Sequence, residues 1–301
     1  MVKLFTAITS YSIQTHSNLR LSLTKESEIS MEPCLNQATL MQCDVEEFLR
    51  ASSEAGFRTV EFRSSKIEEY LNRTSHGKLT QLLQELKMRV AGLNGLEFFS
   101  LVPKDNDAFM LKRAEYQLHL CQLFGITHLI LVPSLRIEGM PQESVIKRTA
   151  ETTSLILDMA KKMGIRLALE IVGNPAFSLR KIDEALQVLK LIDDDHLSLA
   201  LDNICLYEGL NETIDLRKIP PEKIAIVHAN DARKKDERNY GLQERILPGE
   251  GDLDLREFYK ILKERHYRGP VSVELFNEEV WKMPPREAAR LAWKSIQEFL
   301  V

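Results

Sequence analysis

Four apolar runs in the second half of the chain each end on a residue that can bind a cation. Ile165-Arg166-Leu167-Ala168-Leu169 runs into Glu170, and Leu197-Ser198-Leu199-Ala200-Leu201 into Asp202. Ile224-Ala225-Ile226-Val227 runs into His228, and Val271-Ser272-Val273 into Glu274. A charged group at the end of a buried strand is costly unless something neutralises it. On adjacent parallel strands about 4.8 Å apart, three carboxylates would crowd around one imidazole. Their repulsion calls for a cation, so Glu170, Asp202, His228 and Glu274 form a candidate site for one divalent metal ion. An oxygen-rich shell with one nitrogen leans toward Mn²⁺ or Co²⁺ and leaves Zn²⁺ and Mg²⁺ open. A single Glu or His at such a position is more often a solvated strand boundary. Repetition on four successive runs is what carries the metal reading.

A repeated strand–helix unit must position these residues. Short β-rich runs end near Asn36, Arg63, Asn94, Val132, Glu170, Asp202, His228 and Glu274. Most are about thirty residues apart, the size of one βα unit. Between them, Asp44-Val45-Glu46-Glu47 has a capping-box pattern, with Gly56 as the C-terminal stop. Pro141 opens a helical segment that ends at Gly164, and Pro284-Pro285 opens a last helix running toward Phe299. Eight such units predict an α/β fold, a single closed (β/α)8 TIM barrel with its chemistry at the C-terminal mouth. The rival, a doubly wound open sheet, usually carries a Gly-rich loop after its first strand. Here Gln37-Ala38-Thr39-Leu40 follows instead.

The 301 residues carry 40 Lys and Arg against 44 Asp and Glu, for a net charge of -4. No basic stripe or polybasic patch points to nucleic acid or a membrane surface. The longest apolar runs, such as Leu129-Ile130-Leu131-Val132, are too short to span a bilayer. Cys34, Cys43, Cys121 and Cys205 form no C-x-x-C pair, which predicts a reducing, cytoplasmic setting. Residues 1–30 are rich in Ser and Thr and lack a clean apolar signal core. They read as an extension outside a barrel of residues 31–301, and Met31 stands directly before the first strand as an alternative start.

Several stretches resemble the xylose-isomerase-like barrels of the sugar phosphate isomerase/epimerase superfamily, and within it the inosose isomerase group. They are Cys34-Leu35-Asn36-Gln37-Ala38-Thr39, Val60-Glu61-Phe62-Arg63 with Glu69-Tyr70-Leu71, and Leu93-Asn94-Gly95-Leu96-Glu97-Phe98-Phe99. Ala168-Leu169-Glu170-Ile171-Val172-Gly173-Asn174-Pro175 is a further one. The most distinctive are Arg245-Ile246-Leu247-Pro248-Gly249-Glu250-Gly251 and Val271-Ser272-Val273-Glu274-Leu275-Phe276. The resemblance runs from Met31 to the C-terminal helix and places the family's metal ligands on the same four residues. It implies that Glu170 and Glu274 also serve as acid and base. They would move a proton between neighbouring carbons of a keto-inositol or ketose through a cis-enediolate. That is an isomerase or epimerase of inositol and carbohydrate metabolism with a small polyol substrate, and the family admits a homodimer.

Asn36, Arg63, Asn94 and Asp231 at strand ends, and Arg245 in its Pro-Gly-Glu-Gly loop, are the candidates for holding substrate hydroxyls. Local salt bridges and caps are the alternative for each, and Glu61 shares a strand face with Arg63 as a ready partner. His128, within the fourth strand, reads as a packed residue or one behind the ligands. Two positions depart from the family pattern. Cys205 stands where a substrate-touching His is common, three residues after the metal-bound Asp, and a thiol is a weak hydrogen-bond partner. It reads as a pocket-wall substrate contact, with a softer extra metal ligand as the alternative. Asn174 stands where the inosose isomerase pattern has a His. An inosose or dehydroshikimate-type dehydratase is a second reading on the same barrel, and a carbohydrate-binding barrel without catalysis a third. Apurinic endonucleases also resemble this barrel but gather three metals through many His ligands, and here only His228 is well placed.

Overall fold

Strict alternation along each strand decides which side chains meet inside the molecule. A computed structural model describes residues 31–300; the expected extension over residues 1–30 lies outside them. The strands are β1 (Glu32–Asn36), β2 (Thr59–Arg63), β3 (Arg89–Glu97), β4 (His128–Val132), β5 (Arg166–Glu170), β6 (Leu197–Asp202), β7 (Ile224–Ala229) and β8 (Pro270–Val273). Each pairs in parallel with the next, and β8 pairs back onto β1, so the expected (β/α)8 barrel closes. β3 runs three residues past Asn94, β7 one past His228, and β8 stops one short of Glu274.

The helices are α1 (Val45–Ala55), α2 (Ser64–Leu71), α3 (His76–Glu85), α4 (Asp107–Phe124), α5 (Gln142–Lys162), α6 (Ile182–Ile192), α7 (Asn203–Glu208), α8 (Leu255–Glu264), α9 (Glu278–Trp281) and α10 (Pro285–Leu300). Asp44 caps α1 by accepting from the Glu47 N–H, as its spacing predicted. Gly56 ends that helix with φ +119°, and a Cβ there would come within 2.9 Å of the Trp293 ring. Glycine is needed on both counts. No helix among the described residues is long and apolar enough to cross a membrane.

Outward residues of the strands, among them Leu35, Phe62, Leu169, Leu201, Val227 and Val273, pack with the helices in the main core. Inside the barrel a smaller apolar cluster contains Cys34, Ala168, Ala200 and Ile226. Two residues further along the same four strands stand Asn36, Glu170, Asp202 and His228, facing the same way. A plug of mostly small apolar side chains therefore lies next to a layer of polar ones. The polar layer sits at the C-terminal ends of the strands, where loops can wall a cavity around it.

Candidate metal centre

Register brings the four cation-binding candidates together. Asp202 on β6 is directly paired with His228 on β7, and Glu170 is paired with Ala200 two residues before Asp202. One ligand atom from each of Glu170, Asp202, His228 and Glu274 can be chosen so that all lie within 4.8 Å of one another. All four residues are buried, and Asp202 and His228 are fully so.

The His228 ring is held at both nitrogens. Nδ1 faces the cluster, 3.2 Å from Glu170 Oε1 and 3.5 Å from Glu274 Oε2. Nε2 is 3.1 Å from Glu61 Oε1, a carboxylate buried behind the ring. In the tautomer that donates Nε2–H to Glu61, the Nδ1 lone pair is left for the cluster. That outer carboxylate–histidine arrangement is the one metal-binding imidazoles use to fix their orientation and raise their basicity. The donor set thus fits one divalent ion: three carboxylates, one oriented imidazole, and a buried outer carboxylate supporting it.

The carboxylates are themselves oriented. Asp202 Oδ1 accepts the Cys205 N–H, and Oδ2 accepts from Asn230 Nδ2 and from Arg245 Nη1. Glu274 Oε1 accepts from Asn36 Nδ2 and Asn94 Nδ2, both at 3.1 Å, and Oε2 accepts from Arg245 Nη1 at 2.8 Å. Burial pushes the Glu274 carboxyl up, and the charges of His228 and Arg245 only partly offset it, leaving about 7. Burial works against the charged form of Asp202 too, but Arg245 and His228 hold it below its ordinary value. Burial likewise opposes a charged Glu61, yet His228 holds it low. Burial disfavours a charged His228, and Glu274 and Glu61 overcome this to raise it well above its ordinary value. Protons and a metal ion therefore compete for the same negative charge.

A cavity of about 330 Å³ opens beside the cluster. Glu170 and Glu274 line it, whereas Asp202 and His228 do not. Of the expected substrate contacts, Arg63, Asn94, Cys205 and Arg245 line it as well. Arg63 donates to Asn94 Oδ1 at 2.7 Å and to Glu97 Oε1 at 2.6 Å. The expected alternative partner of Arg63, Glu61, bonds His228 instead. Cys205 lies outside the ligand cluster, with Arg245 Nη2 3.4 Å from its Sγ, and burial pushes its thiol well up. Asn36 is fully buried with Glu274 and does not line the cavity. Asp231 does not line it either. Its Oδ1 accepts from the N–H groups of Ala232 and Leu253, and its Oδ2 from those of Gly249 and Gly251. That carboxylate staples the loop carrying Arg245. His128 is half-buried at the start of β4, remote in sequence register from the strand ends, where burial and Arg166 push it down to about 4.

Sequence reasoning missed Glu61 as the partner of His228, and it missed Glu208. Alternation along β2 put Glu61 on an inward position, which was a usable signal. Glu208 lay on a segment without a recognisable motif. The structure places it in the cavity wall with Tyr240, Phe98, Phe177 and Phe276. The Phe98 and Phe177 rings stack 6.1 Å apart.

Comparison with known proteins agrees with this geometry. The chain is 26% identical to the inosose isomerase of Bacillus subtilis over 267 residues, covering 88% of this chain and 96% of that protein. It is 25% identical over 255 residues to the 3-dehydroshikimate dehydratase of Pseudomonas putida, covering 83% of this chain but 39% of the dehydratase. The crystal structure of the IOLI protein with a bound zinc atom superposes with a TM-score of 0.86 at 25% identity, covering 89% of this chain and 98% of that one. A family model described as a xylose isomerase-like TIM barrel matches residues 49–299, which takes in β2 through β8 and every metal-ligand candidate, and the chain belongs to that family.

Proposed function

We propose that the protein is a divalent-metal-dependent isomerase that moves the ketone of a keto-inositol, or a closely related keto-polyol, to the adjacent carbon. The observation that carries this reading is the division of labour within one cluster. Asp202 and His228 are sealed off, while Glu170 and Glu274 reach the cavity where a small ligand has room. Similarity to the Bacillus subtilis inosose isomerase over 96% of that protein's length supports the substrate class.

Glu170, Asp202, His228 and Glu274 would hold the ion, which when bound acts as a Lewis acid on the ketone and offsets charge on its enolised form. Of Glu170 and Glu274, one takes the proton from the hydroxyl-bearing carbon beside the ketone. The other delivers a proton to the former carbonyl carbon. A proton passes between the two oxygens, so the old carbonyl becomes a hydroxyl and the neighbouring hydroxyl becomes the ketone. Asn36, Asn94 and Arg245 keep both Glu274 oxygens in place through this exchange. The two arginines of the cavity are committed to carboxylates, Arg63 to Glu97 and Arg245 to Asp202 and Glu274. Neither offers an unpaired cation to an acidic substrate, which favours a neutral keto-polyol over a dehydroshikimate-type acid.

Glu274→Gln tests the pair. At saturating metal its turnover is expected to fall about 100- to 10,000-fold, the range for losing a general acid or base. Metal content is measured in parallel. A metal-loaded Glu274→Gln protein with wild-type turnover would contradict the assigned role.

A further inference from the structure

The proton-transfer scheme leaves one buried carboxyl group at the cavity without a task. Glu208 is the last residue of α7, the helix that Asp202 caps, and is 4% exposed. It follows Cys205 by three residues and so shares its helix face. Both residues line the cavity. Six residues of helical rise put its backbone about 9 Å along the axis from that of Asp202, whose charge still helps to raise the Glu208 carboxyl.

Flanking loops pin this helix. A Cβ on Gly173 would sit 1.8 Å from the Cys205 carbonyl oxygen, and one on Gly209 would sit 2.1 Å from the Arg180 carbonyl oxygen. Backbone therefore presses directly on α7, and the face carrying Cys205 and Glu208 is fixed toward the cavity. Glu208 Oε1 accepts the Tyr240 N–H at 2.6 Å. Among the described residues no cation forms a close ion pair with the carboxylate, Arg245 and Arg180 acting on it from further away, and no donor bonds its other oxygen. A carboxyl group can take several hydrogen bonds, so the other oxygen, on a residue that lines the cavity, keeps capacity for a ligand hydroxyl. Burial pushes the group up to about 7, so it can accept from a hydroxyl or donate to one near neutrality. Anchoring Tyr240 would not by itself need an ionisable side chain, since an amide oxygen makes the same bond. On this wall Cys205 is a poor polar partner, being a neutral thiol, so the polar contact falls to Glu208.

We propose that Glu208 is a substrate-contacting, specificity-determining residue whose free carboxyl oxygen binds a ring hydroxyl that is not held at the metal. This rests on the keto-polyol reading of the cavity.

The test is calorimetric binding to the metal-loaded full chain. The ligands are 2-keto-myo-inositol and a series of its monodeoxy analogues, and the proteins are wild type, Glu208→Leu and Glu208→Gln. Loss of a hydrogen bond to a carboxylate predicts that Glu208→Leu binds the parent about 10- to 100-fold more weakly. One deoxy analogue should suffer a similar loss on the wild type and no further loss on Glu208→Leu. Glu208→Gln keeps the Tyr240 anchor and should show the same analogue dependence, weaker by about 3- to 10-fold. It carries the comparison if the Leu variant does not fold. Undiminished binding by the variants would overturn the proposal. So would an equal loss for every analogue, which is the mark of a purely structural anchor. If the wild type binds no keto-inositol at all, the isomerase reading fails and this contact with it. If the wild type binds and the variants match it, the reading stands and only the contact fails.

Discussion

In the proposed metal centre, Glu61 would orient His228 and raise its basicity from the far ring nitrogen. Both side chains are fully buried, and neither would be tolerable alone. Glu61→Gln should keep the shape of the contact while losing its charge. It is expected to weaken metal affinity about 10- to 100-fold, read by competition with a chelator. Unchanged affinity would remove Glu61 from the site. Glu208 makes a separate prediction about stability. Its carboxyl sits near 7 in the folded protein against an ordinary 4.5. Below pH 4.5 both states hold the proton. Between 4.5 and 7 the unfolded chain releases a proton that the fold retains, so this group's contribution to stability is lost as pH rises through that window. Glu208→Gln has no such slope. Urea unfolding at pH 4.5 and 7.5 should show the variant gaining on the wild type by an amount on the order of 1–3 kcal/mol, less than the full shift implies because water in the cavity screens the charge. No change in their difference with pH would contradict the assignment. The four cluster residues were legible from strand ends, because each closes an apolar run. The role of Glu61 was not, since alternation gives the face of a residue but not which inward neighbour across the barrel it meets.

At the level of elements, the segment after β7 turns a sequence motif into a positioned arginine. Asp231 and Ile246 form a two-bond bridge, and the Asp231 carboxylate gathers four backbone N–H groups of the same segment. A Cβ at Gly251 would lie 2.1 Å from Asp231 Oδ1, so the Pro-Gly-Glu-Gly sequence is what lets the backbone close on the carboxylate. Asp231→Ala strands those donors and should destabilise the protein by about 2–4 kcal/mol. It should also lower turnover, because Arg245 loses its support. Asp231→Asn should recover part of both in thermal unfolding and activity assays. An Asp231→Ala protein with wild-type stability would refute the staple. Most strand ends were legible to within a residue. β3 was not, because Gly95 interrupts the apolar alternation just where the register with β4 shifts. Gly95 also packs so closely on β4 that a Cβ would reach 2.6 Å from the Ile130 carbonyl oxygen.

At the scale of the whole molecule, the barrel converts four residues spread over more than a hundred positions of sequence into one binding site. A single ion held by those residues would tie β5 through β8 together. Chelation is therefore expected to lower the thermal midpoint as well as abolish activity, and re-addition of Mn²⁺, Co²⁺ or Zn²⁺ should restore both. At a thousandfold excess over Kd the ion adds about 4 kcal/mol. A chelator-insensitive midpoint would argue that the cluster holds no ion in solution. The most direct test of the central claim is proton NMR of the metal-loaded protein with 2-keto-myo-inositol in D₂O. The account predicts that the ketone migrates to the neighbouring carbon without loss of water. Because one Glu takes the proton and the other delivers a different one, the carbon that gains a proton should carry solvent deuterium. A conjugated product formed with loss of water, or an unchanged substrate under a full complement of metal, would contradict it.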